Sequence, residues 1–304
     1  MPNLTLLDVA RRNAGDDVVG LVEEILTVAP EFRTLPVKPR SGISYPITRR
    51  IGRATGGFRN VNEGIAADKS KYETVLVPMF FFDAQLRVDE AIVKADGGKL
   101  GDILAGESAG QLQEAYVTLG DQVYRGTTAS KKGFAGFREQ LDSSLYVDAT
   151  GTGGTTHTAW AVFEGDQGVH CPIGNDGAFG IGQWMRQQVT DANSNPYMAW
   201  VNNLSFYVGL ALGSRYAIGC VKNITEAKPL TDSLGTQLFA KFKVGRKPTR
   251  WFMSRDVVYW LQKSRSAIGQ VATDANGSAF SPPPTSLAGV PIVETDSIAT
   301  EAAW

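Results

Sequence analysis

The 304-residue sequence predicts an α+β fold. At 99–125, apolar side chains recur at intervals of three and four residues, which indicates one long amphipathic helix. Runs rich in Val, Ile, Tyr and Phe between turn-forming residues indicate strands on both sides of that helix. From residue 229 onwards, helical and β patterns alternate, which indicates a smaller α/β unit. No internal repeat links these parts.

The N-terminal residues are predicted to form an arm. Apolar stretches at 4–10 and 18–26 are expected to be short helices, and Asp16 and Asp17 offer N-caps for the second. Pro30 is expected to end it. Helices this short are marginal in water, so they are expected to lie against another surface, in this molecule or in another.

A long β-hairpin is predicted next. Its strands are 44–50 and a second run that starts at Tyr72 and continues to Phe82. Between them, 51–70 contains four glycines and only four larger apolar side chains, which are too few for a core of its own. We therefore expect an arm that projects from the body and becomes ordered on another surface.

The hairpin concentrates positive charge. The whole chain is balanced, with 30 Lys and Arg against 31 Asp and Glu, which argues against a protein that binds nucleic acid over its whole surface. Between Lys38 and Lys71, however, eight basic residues stand against two acidic ones. Arginine suits an acidic partner because its planar fork makes two hydrogen bonds to one carboxylate. The alternative is a solvated basic loop that aids solubility. The candidate subunit-contact residues are Arg49, Arg50, Arg53, Phe58 and Arg59.

The long helix precedes two further groups of elements. Gly126 is placed to cap it, and small residues at 105–110 permit close backbone approach or a bend. Strands of a β-rich block are expected at 145–147, 159–163, 168–173, 199–212 and 216–221. The C-terminal unit is expected to contain helices at 229–242 and 255–263 and strands at 249–253 and 289–294.

The residue types disfavour most catalytic and metal sites. Cys171 and Cys220 stand alone, outside any CxxC pair, so the ligands for a zinc ribbon or a disulfide framework are too few. His170 and Cys171 are neighbours on a predicted strand and therefore point to opposite faces. His157 could approach Cys171, which keeps a Cys–His hydrolase as an alternative. No catalytic, cofactor-binding or metal-ligating residue is assigned.

No apolar stretch approaches the roughly 18 to 20 residues that span a bilayer. Residues 1–12 also lack the basic start and apolar core of a secretion signal. We therefore expect a protein that is made and assembled in a cytosol and has no membrane partner.

Seven stretches along the chain carry a family resemblance. They are LTLLDVARRN at 4–13, GFRNVNEG at 57–64, KGFAGFREQL at 132–141, VHCPIG at 169–174, DANSNPYMAW at 191–200, RYAIGCVKNI at 215–224 and GVPIVETDSI at 289–298. Together with the order of the predicted elements, they resemble the major capsid proteins of tailed bacteriophages that have the Hong Kong 97 fold.

The resemblance implies a division into four parts. They are an N-terminal arm at 1–37, an extended hairpin loop at 38–83, a peripheral domain at 84–225 with a spine helix at 99–125, and an axial domain at 226–304. The β-rich block at 159–224 would precede the axial-like unit, so we expect a connectivity that is rearranged relative to the archetype.

The resemblance also implies the function of a major capsid protein, with no enzymatic activity. Many copies would form pentamers and hexamers that close into an icosahedral head shell around double-stranded DNA, which is contacted only non-specifically. Scaffolding and portal proteins are further expected partners, and a cement protein is another candidate. The expected location is the virion, after assembly in the bacterial cytoplasm. The alternatives are another virion protein, such as a tail-tube or decoration protein, and the hydrolase.

Overall fold

The computed structural model describes residues 29–95, 100–174, 180–267, 272–273, 279–280 and 283–304. The helices predicted before residue 28 lie outside these ranges. A short helix, α1 (Glu31–Thr34), follows Pro30 directly. The described strands form a seven-stranded sheet, a six-stranded sheet and two separate two-stranded ribbons, and we call the two larger ones the first and the second sheet.

The predicted hairpin is present as a ribbon of its own. β2 (Ser44–Gly52) pairs antiparallel with β3 (Lys71–Pro78), with Arg49 opposite Glu73 and a register shift between Arg50 and Gly52. The prediction of a single strand from 72 to 82 is wrong, because Met79 separates two strands, β3 and the strand that begins at Phe80. The Met79 side chain is buried and its N–H donates to the Ile43 carbonyl at 2.9 Å, which ends the hairpin.

The next strand, β4 (Phe80–Asp89), belongs to the first sheet. It pairs along its whole length with β10 (Pro196–Val208), and its side chains alternate between the covered and the exposed face. The other members are β1 (Val37–Pro39), β7 (Val169–Ile173), β8 (Gly180–Ile181), β9 (Met185–Thr190) and β11 (Ala211–Leu212). The sequence did not predict β9, because its mostly polar, exposed residues lack the apolar alternation of a half-buried strand.

The long helix is confirmed as α3 (Leu100–Arg125). A shorter helix, α2 (Glu90–Ala95), precedes it, and the Asp89 carboxylate accepts a hydrogen bond from the Ala91 N–H at 2.8 Å, as expected of a cap. Gly126 has a φ of +57°, the left-handed conformation that ends many helices. The chain then turns through the short helix α4 (Phe137–Gln140).

The second sheet is buried on both faces. Its order is β16 (Ser286–Leu287), β17 (Val290–Glu294), β13 (Arg250–Met253), β6 (His157–Val162), β12 (Ile218–Ile224) and β5 (Tyr146–Asp148). Trp160 of β6 packs into the apolar cluster shared with α3 and the first sheet. Ala159 and Ala161 pack into another cluster with α5 (Asp232–Lys241) and α6 (Arg255–Ala267). The second two-stranded ribbon consists of β14 (Ala272–Thr273) and β15 (Ala279–Phe280).

This topology corrects the predicted grouping of strands. β6 pairs with both β12 and β13, so the predicted boundary between 225 and 226 passes through the second sheet. The block at 159–224 is not one unit, because β7 and β10 join the first sheet while β6 and β12 join the second. The expectation of a rearranged connectivity treated that block as one unit, so it loses its support. Spacing in the sequence does not reveal which of two sheets a buried strand joins.

A buried carboxyl group joins three distant parts of the chain. Glu31 in α1 accepts hydrogen bonds from the hydroxyls of Tyr124 (2.9 Å), Ser297 (3.3 Å) and Thr295. Its pKa is raised, because desolvation by burial outweighs these hydrogen bonds. Gly120 lets the backbone of α3 approach, since a Cβ there would lie 2.9 Å from the nearer carboxyl oxygen.

Replacing Glu31 with Gln should make the subunit less sensitive to pH. A carboxyl whose folded-state pKa is raised contributes stability below its ordinary pKa, and this stability is lost as pH rises through the folded-state value. The difference in melting temperature, E31Q minus wild type, should therefore become more positive between pH 4 and pH 8. Thermal melts across that range measure it. Glu31→Ala is the control, since its cavity should destabilise the subunit throughout, and an E31Q difference that does not change with pH would contradict the assignment.

Candidate functional site

The tip of the hairpin makes no core of its own. Every residue from Arg53 to Lys69 is exposed, and the side chain of Phe58 is fully accessible. Val61 is 88% exposed, and Ile65 is half-exposed. Exposed apolar side chains grouped on a projecting segment are typical of a surface that another chain covers.

Hydrogen bonds nevertheless shape the tip. The Asp68 carboxylate accepts from the Thr55 N–H at 2.9 Å and from its hydroxyl at 2.7 Å, and these bonds lower the pKa of Asp68. The Glu63 carboxylate accepts from the N–H and the side-chain amide of Asn60, at 3.3 and 3.1 Å. Both acidic residues of the hairpin tip therefore bind neutral groups and leave its arginines unneutralised.

Three of the five candidate contact residues are exposed arginines with donors to spare. The Arg50 guanidinium lies 5.4 Å from the ring centre of Tyr72, which holds its direction without using its charge. Arg59 donates one hydrogen bond, at 2.7 Å, to the Glu63 carbonyl. Arg53 is exposed, and no carboxylate of the described residues lies within ion-pair distance of it. These three side chains and Phe58 form what we call the tip surface.

Arg49 differs from the other arginines. It is half-buried, and its Nη2 donates to the carbonyl of Leu212 in the first sheet. Desolvation lowers its pKa, against the opposing effect of Glu73 across the hairpin. Tyr45 packs edge-on against His170, with 5.4 Å between ring centres. Arg49 therefore fixes the base of the hairpin to its own subunit, a role that its place among the other arginines did not reveal.

Cys171 and His157, the residues of the hydrolase alternative, do not form a nucleophile–base pair. Cys171 is fully buried, and burial raises the pKa of its thiol to about 12, far from the value of a reactive thiolate. His157 shares a hydrogen bond of 2.9 Å with the Ser254 hydroxyl through Nδ1, and its Nε2 lies 3.8 Å from Asp256. Sequence reasoning missed this pairing, although Ser254 directly precedes a predicted helix.

Ser254, His157 and Asp256 share residue types with a hydrolytic triad but not its arrangement. Ser254 is buried, and its carbonyl accepts from the Val258 N–H at the start of α6. Asp256, by contrast, is exposed. Desolvation lowers the pKa of His157, so the ring is neutral at physiological pH. The three residues thus join β6 to the first turn of α6.

Within the described ranges, no group of three His, Cys, Asp or Glu side chains is arranged to hold a metal ion. Among the helices of the described residues, none is long and apolar enough to cross a membrane.

A family comparison decides what kind of protein presents this hairpin. The model of the family "major capsid protein GP7" matches residues 40–303, which is most of the chain. The chain belongs to the major capsid protein GP7 family. It is a major capsid protein of a phage head shell, and its place is the virion capsid. No curated protein has a sequence significantly similar to that of this capsid protein.

Solved structures agree in fold. The capsid protein is similar to a chain of bacteriophage epsilon15, with a TM-score of 0.73 and 17% identity over 100% of this chain and 97% of that one. A chain of the bacteriophage JBD30 capsid gives a TM-score of 0.51 at 12% identity, over 90% and 93% of the two chains. The native GTA particle capsid gives 0.50 at 9%, over 68% and 94%. These matches confirm the predicted α+β fold of the Hong Kong 97 type.

The two kinds of arginine should behave differently in the isolated subunit. Arg49→Ala removes a charge-assisted hydrogen bond to a carbonyl and should lower the free energy of unfolding by about 1 to 3 kcal/mol. Arg53→Ala removes an exposed side chain and should change it by no more than about 0.5 kcal/mol. Urea denaturation measures both, and hydrogen exchange of β2 and β3 reports local loosening. Equal effects of the two substitutions would contradict the distinction.

Proposed function

We propose that copies of this chain assemble into pentamers and hexamers, and that each copy lays its hairpin on a neighbour. These capsomers close into an icosahedral shell around double-stranded DNA. The observation that carries the proposal is the tip surface, where exposed arginines and a fully exposed Phe58 project on a ribbon without a core. A ribbon of two strands is marginal alone and gains its order from a second surface.

The long helix of the neighbouring copy offers the complementary charge. Residues 100–124 contain four acidic side chains and no basic one. Between α3 and β4 runs a groove of about 460 Å³, with Phe82 and Leu86 on the strand side and Glu107 and Glu114 on the helix side. Apolar walls with acidic neighbours match an aromatic side chain flanked by arginines. We therefore propose this groove as the surface that receives the tip.

The free energies of the two kinds of contact indicate that burial of Phe58 contributes more to docking than exposed ion pairs do. An exposed ion pair contributes about 0 to 1 kcal/mol, whereas removing one partner of a desolvated interfacial pair costs about 2 to 5 kcal/mol. Burying a phenylalanine side chain contributes about 1.5 to 3 kcal/mol. Phe58 is thus expected to supply affinity, while the arginines set position and partner choice.

The same proposal includes an assignment of the two sheets to the two domains of the subunit. We assign the first sheet and α3 to the peripheral domain, and the second sheet with α5 and α6 to the axial domain. The support is that α5 and α6 share an apolar cluster with one face of the second sheet, separate from the cluster beneath α3. We keep the N-terminal arm at 1–37 as proposed, and we narrow the hairpin loop from 38–83 to the ribbon at 44–78, because Phe80–Asp89 belongs to the first sheet.

Other expected features rest on the family alone. Scaffolding and portal proteins, with a cement protein as a further candidate, are proposed partners of the shell, and the bacterial cytoplasm is the proposed site of assembly. We also propose that the chain has no enzymatic role. The burial of Cys171 and the engagement of His157 with Ser254 support this.

Charge reversal tests the hairpin contact. Arg50→Glu with Arg53→Glu should leave the melting temperature of the isolated subunit within about 2 °C of wild type, since both side chains are exposed. The same variant should fail to form closed shells, as measured by sedimentation and electron microscopy. Glu107→Lys with Glu114→Lys, added to that variant, should restore part of the shell yield.

A charge-matched control accompanies this experiment. Lys131→Glu with Lys132→Glu changes the net charge equally at exposed positions outside the hairpin and should assemble normally. Normal shells from the Arg50/Arg53 variant across a range of salt concentrations would show these arginines to be ordinary solvated charges. Restoration by changes elsewhere, but not at Glu107 and Glu114, would reject the groove as the receiving surface.

A further inference from the structure

A second group of cations is not neutralised by the subunit. Several basic side chains of the body are paired with carboxylates, as in Arg138–Glu301 at 2.6 Å and Arg265–Asp232 at 2.6 Å. Between 233 and 255, however, the sequence contains no acidic residue. We define the turn cluster as Lys241, Lys243, Arg246 and Lys247. Within the described residues, none of its side chains has a carboxylate within ion-pair distance.

The turn cluster is presented at the surface by a short 3₁₀ turn, Val244–Arg246, between α5 and β13. Val244 at its start is 90% exposed. The three lysines are exposed, and Arg246 is half-buried. Because α5 precedes the turn and the buried strand β13 follows it, both ends of the turn are held by the body of the subunit. The positions of its side chains on the surface are therefore defined.

Aromatic rings and carbonyl groups hold the cations of the cluster. The Lys243 ammonium lies 5.6 Å from the ring centre of Tyr216, and the Arg246 guanidinium lies 5.5 Å from that of Phe163. Lys241 donates to the Tyr146 carbonyl at 2.5 Å. These contacts orient three of the four cations and leave their charges intact, unlike an ion pair.

Nearby carboxylates are engaged elsewhere. Glu164 pairs with Arg250 at 2.8 Å, and Asp166 pairs with Lys38 at 2.5 Å. Asp142 accepts from the Ser144 hydroxyl at 2.6 Å and feels Lys243 only at longer range. The turn cluster therefore keeps its positive charge without an ion pair to any carboxylate of the described residues.

We infer that the turn cluster contacts the phosphate backbone of the DNA that the shell encloses. Four cations within residues 241–247, three of them lysines that act as compact point charges on phosphates, match the dense negative charge of a phosphate backbone. Val244 is the only large apolar side chain exposed on the turn, so the cluster lacks the aromatic anchor typical of a protein interface. The contact is independent of base sequence. It rests on the proposed shell around double-stranded DNA but not on the hairpin contact.

DNA binding by the purified, unassembled full chain tests this inference. Fluorescence anisotropy with two labelled 30-base-pair duplexes of unrelated sequence, at 50 to 200 mM NaCl, gives the affinity and its salt dependence. Four phosphate contacts correspond to a slope of about −3.6 in log K against log salt, because each contributes about −0.9. The two duplexes should bind alike. Lys243→Glu with Lys247→Glu should reduce the slope by about 2 and the affinity at least tenfold at 100 mM.

The matched control carries the same charge change at a distant exposed site, Lys131→Glu with Lys132→Glu. It should lose less than threefold in affinity, and unchanged melting temperatures should show that both variants fold. Equal losses in the two variants, or wild-type binding without salt dependence, would overturn the inference. So would a Lys243/Lys247 variant that stops assembly but binds DNA normally, since the cluster would then be a protein contact. If wild-type chains bind DNA through the cluster but never form shells, the proposed assembly fails, and only the phosphate binding of the cluster stands.

Discussion

The burial of the second sheet on both faces is the constraint on which the rest of the subunit depends. β6 is buried at every position, and alternate side chains serve different layers. Trp160 faces the cluster beneath α3, while Ala159 and Ala161 face α5 and α6. Because one strand carries both interfaces, the long helix and the C-terminal helices have fixed positions relative to each other.

That rigid body gives the hairpin a base. The first sheet packs into the same cluster as Trp160, and its strand β11 ends at Leu212, whose carbonyl binds Arg49. Glu73 opposite Arg49 lies 3.7 Å from Arg215, which begins the turn before β12. A ribbon without a core is thereby held at one end by the body. The contacts with the body fix the direction of the ribbon. Its tip is the part that we propose to contact another chain.

Some of this structure could be predicted from the sequence and some could not. The helix α3 and its end at Gly126 were predictable, since 26 residues with one apolar face leave few alternatives. The break at Met79 was not, because the apolar residues continue across it and only the change of sheet interrupts the strand. The division of the β-rich block between two sheets was hidden for a related reason, since membership depends on contacts between residues far apart in sequence.

The candidate site shows the same limit. Composition was enough to find a basic hairpin with an aromatic residue, but it could not separate Arg49, which turns inward, from Arg50 and Arg53. Direction depends on which face of the strand meets the first sheet. Glu31 gave no signal at all, because a lone glutamate after a proline is ordinary at a helix start. The turn cluster did have a signal, the absence of acidic residues from 233 to 255, which shows only when charges are counted by segment.

The hydrogen bonds of Asp68 and Glu63 within the tip have a consequence for binding kinetics and entropy. A free loop must be ordered when it docks, and fixing the backbone of one residue costs about 1 to 2 kcal/mol. Here Asp68 joins the two sides of the tip through Thr55, Glu63 closes a local turn with Asn60, and Asn62 already adopts the left-handed conformation, with a φ of +68°. Under the proposed docking, a preorganised tip would lose less conformational freedom, so a smaller contact area would be enough to attach it stably.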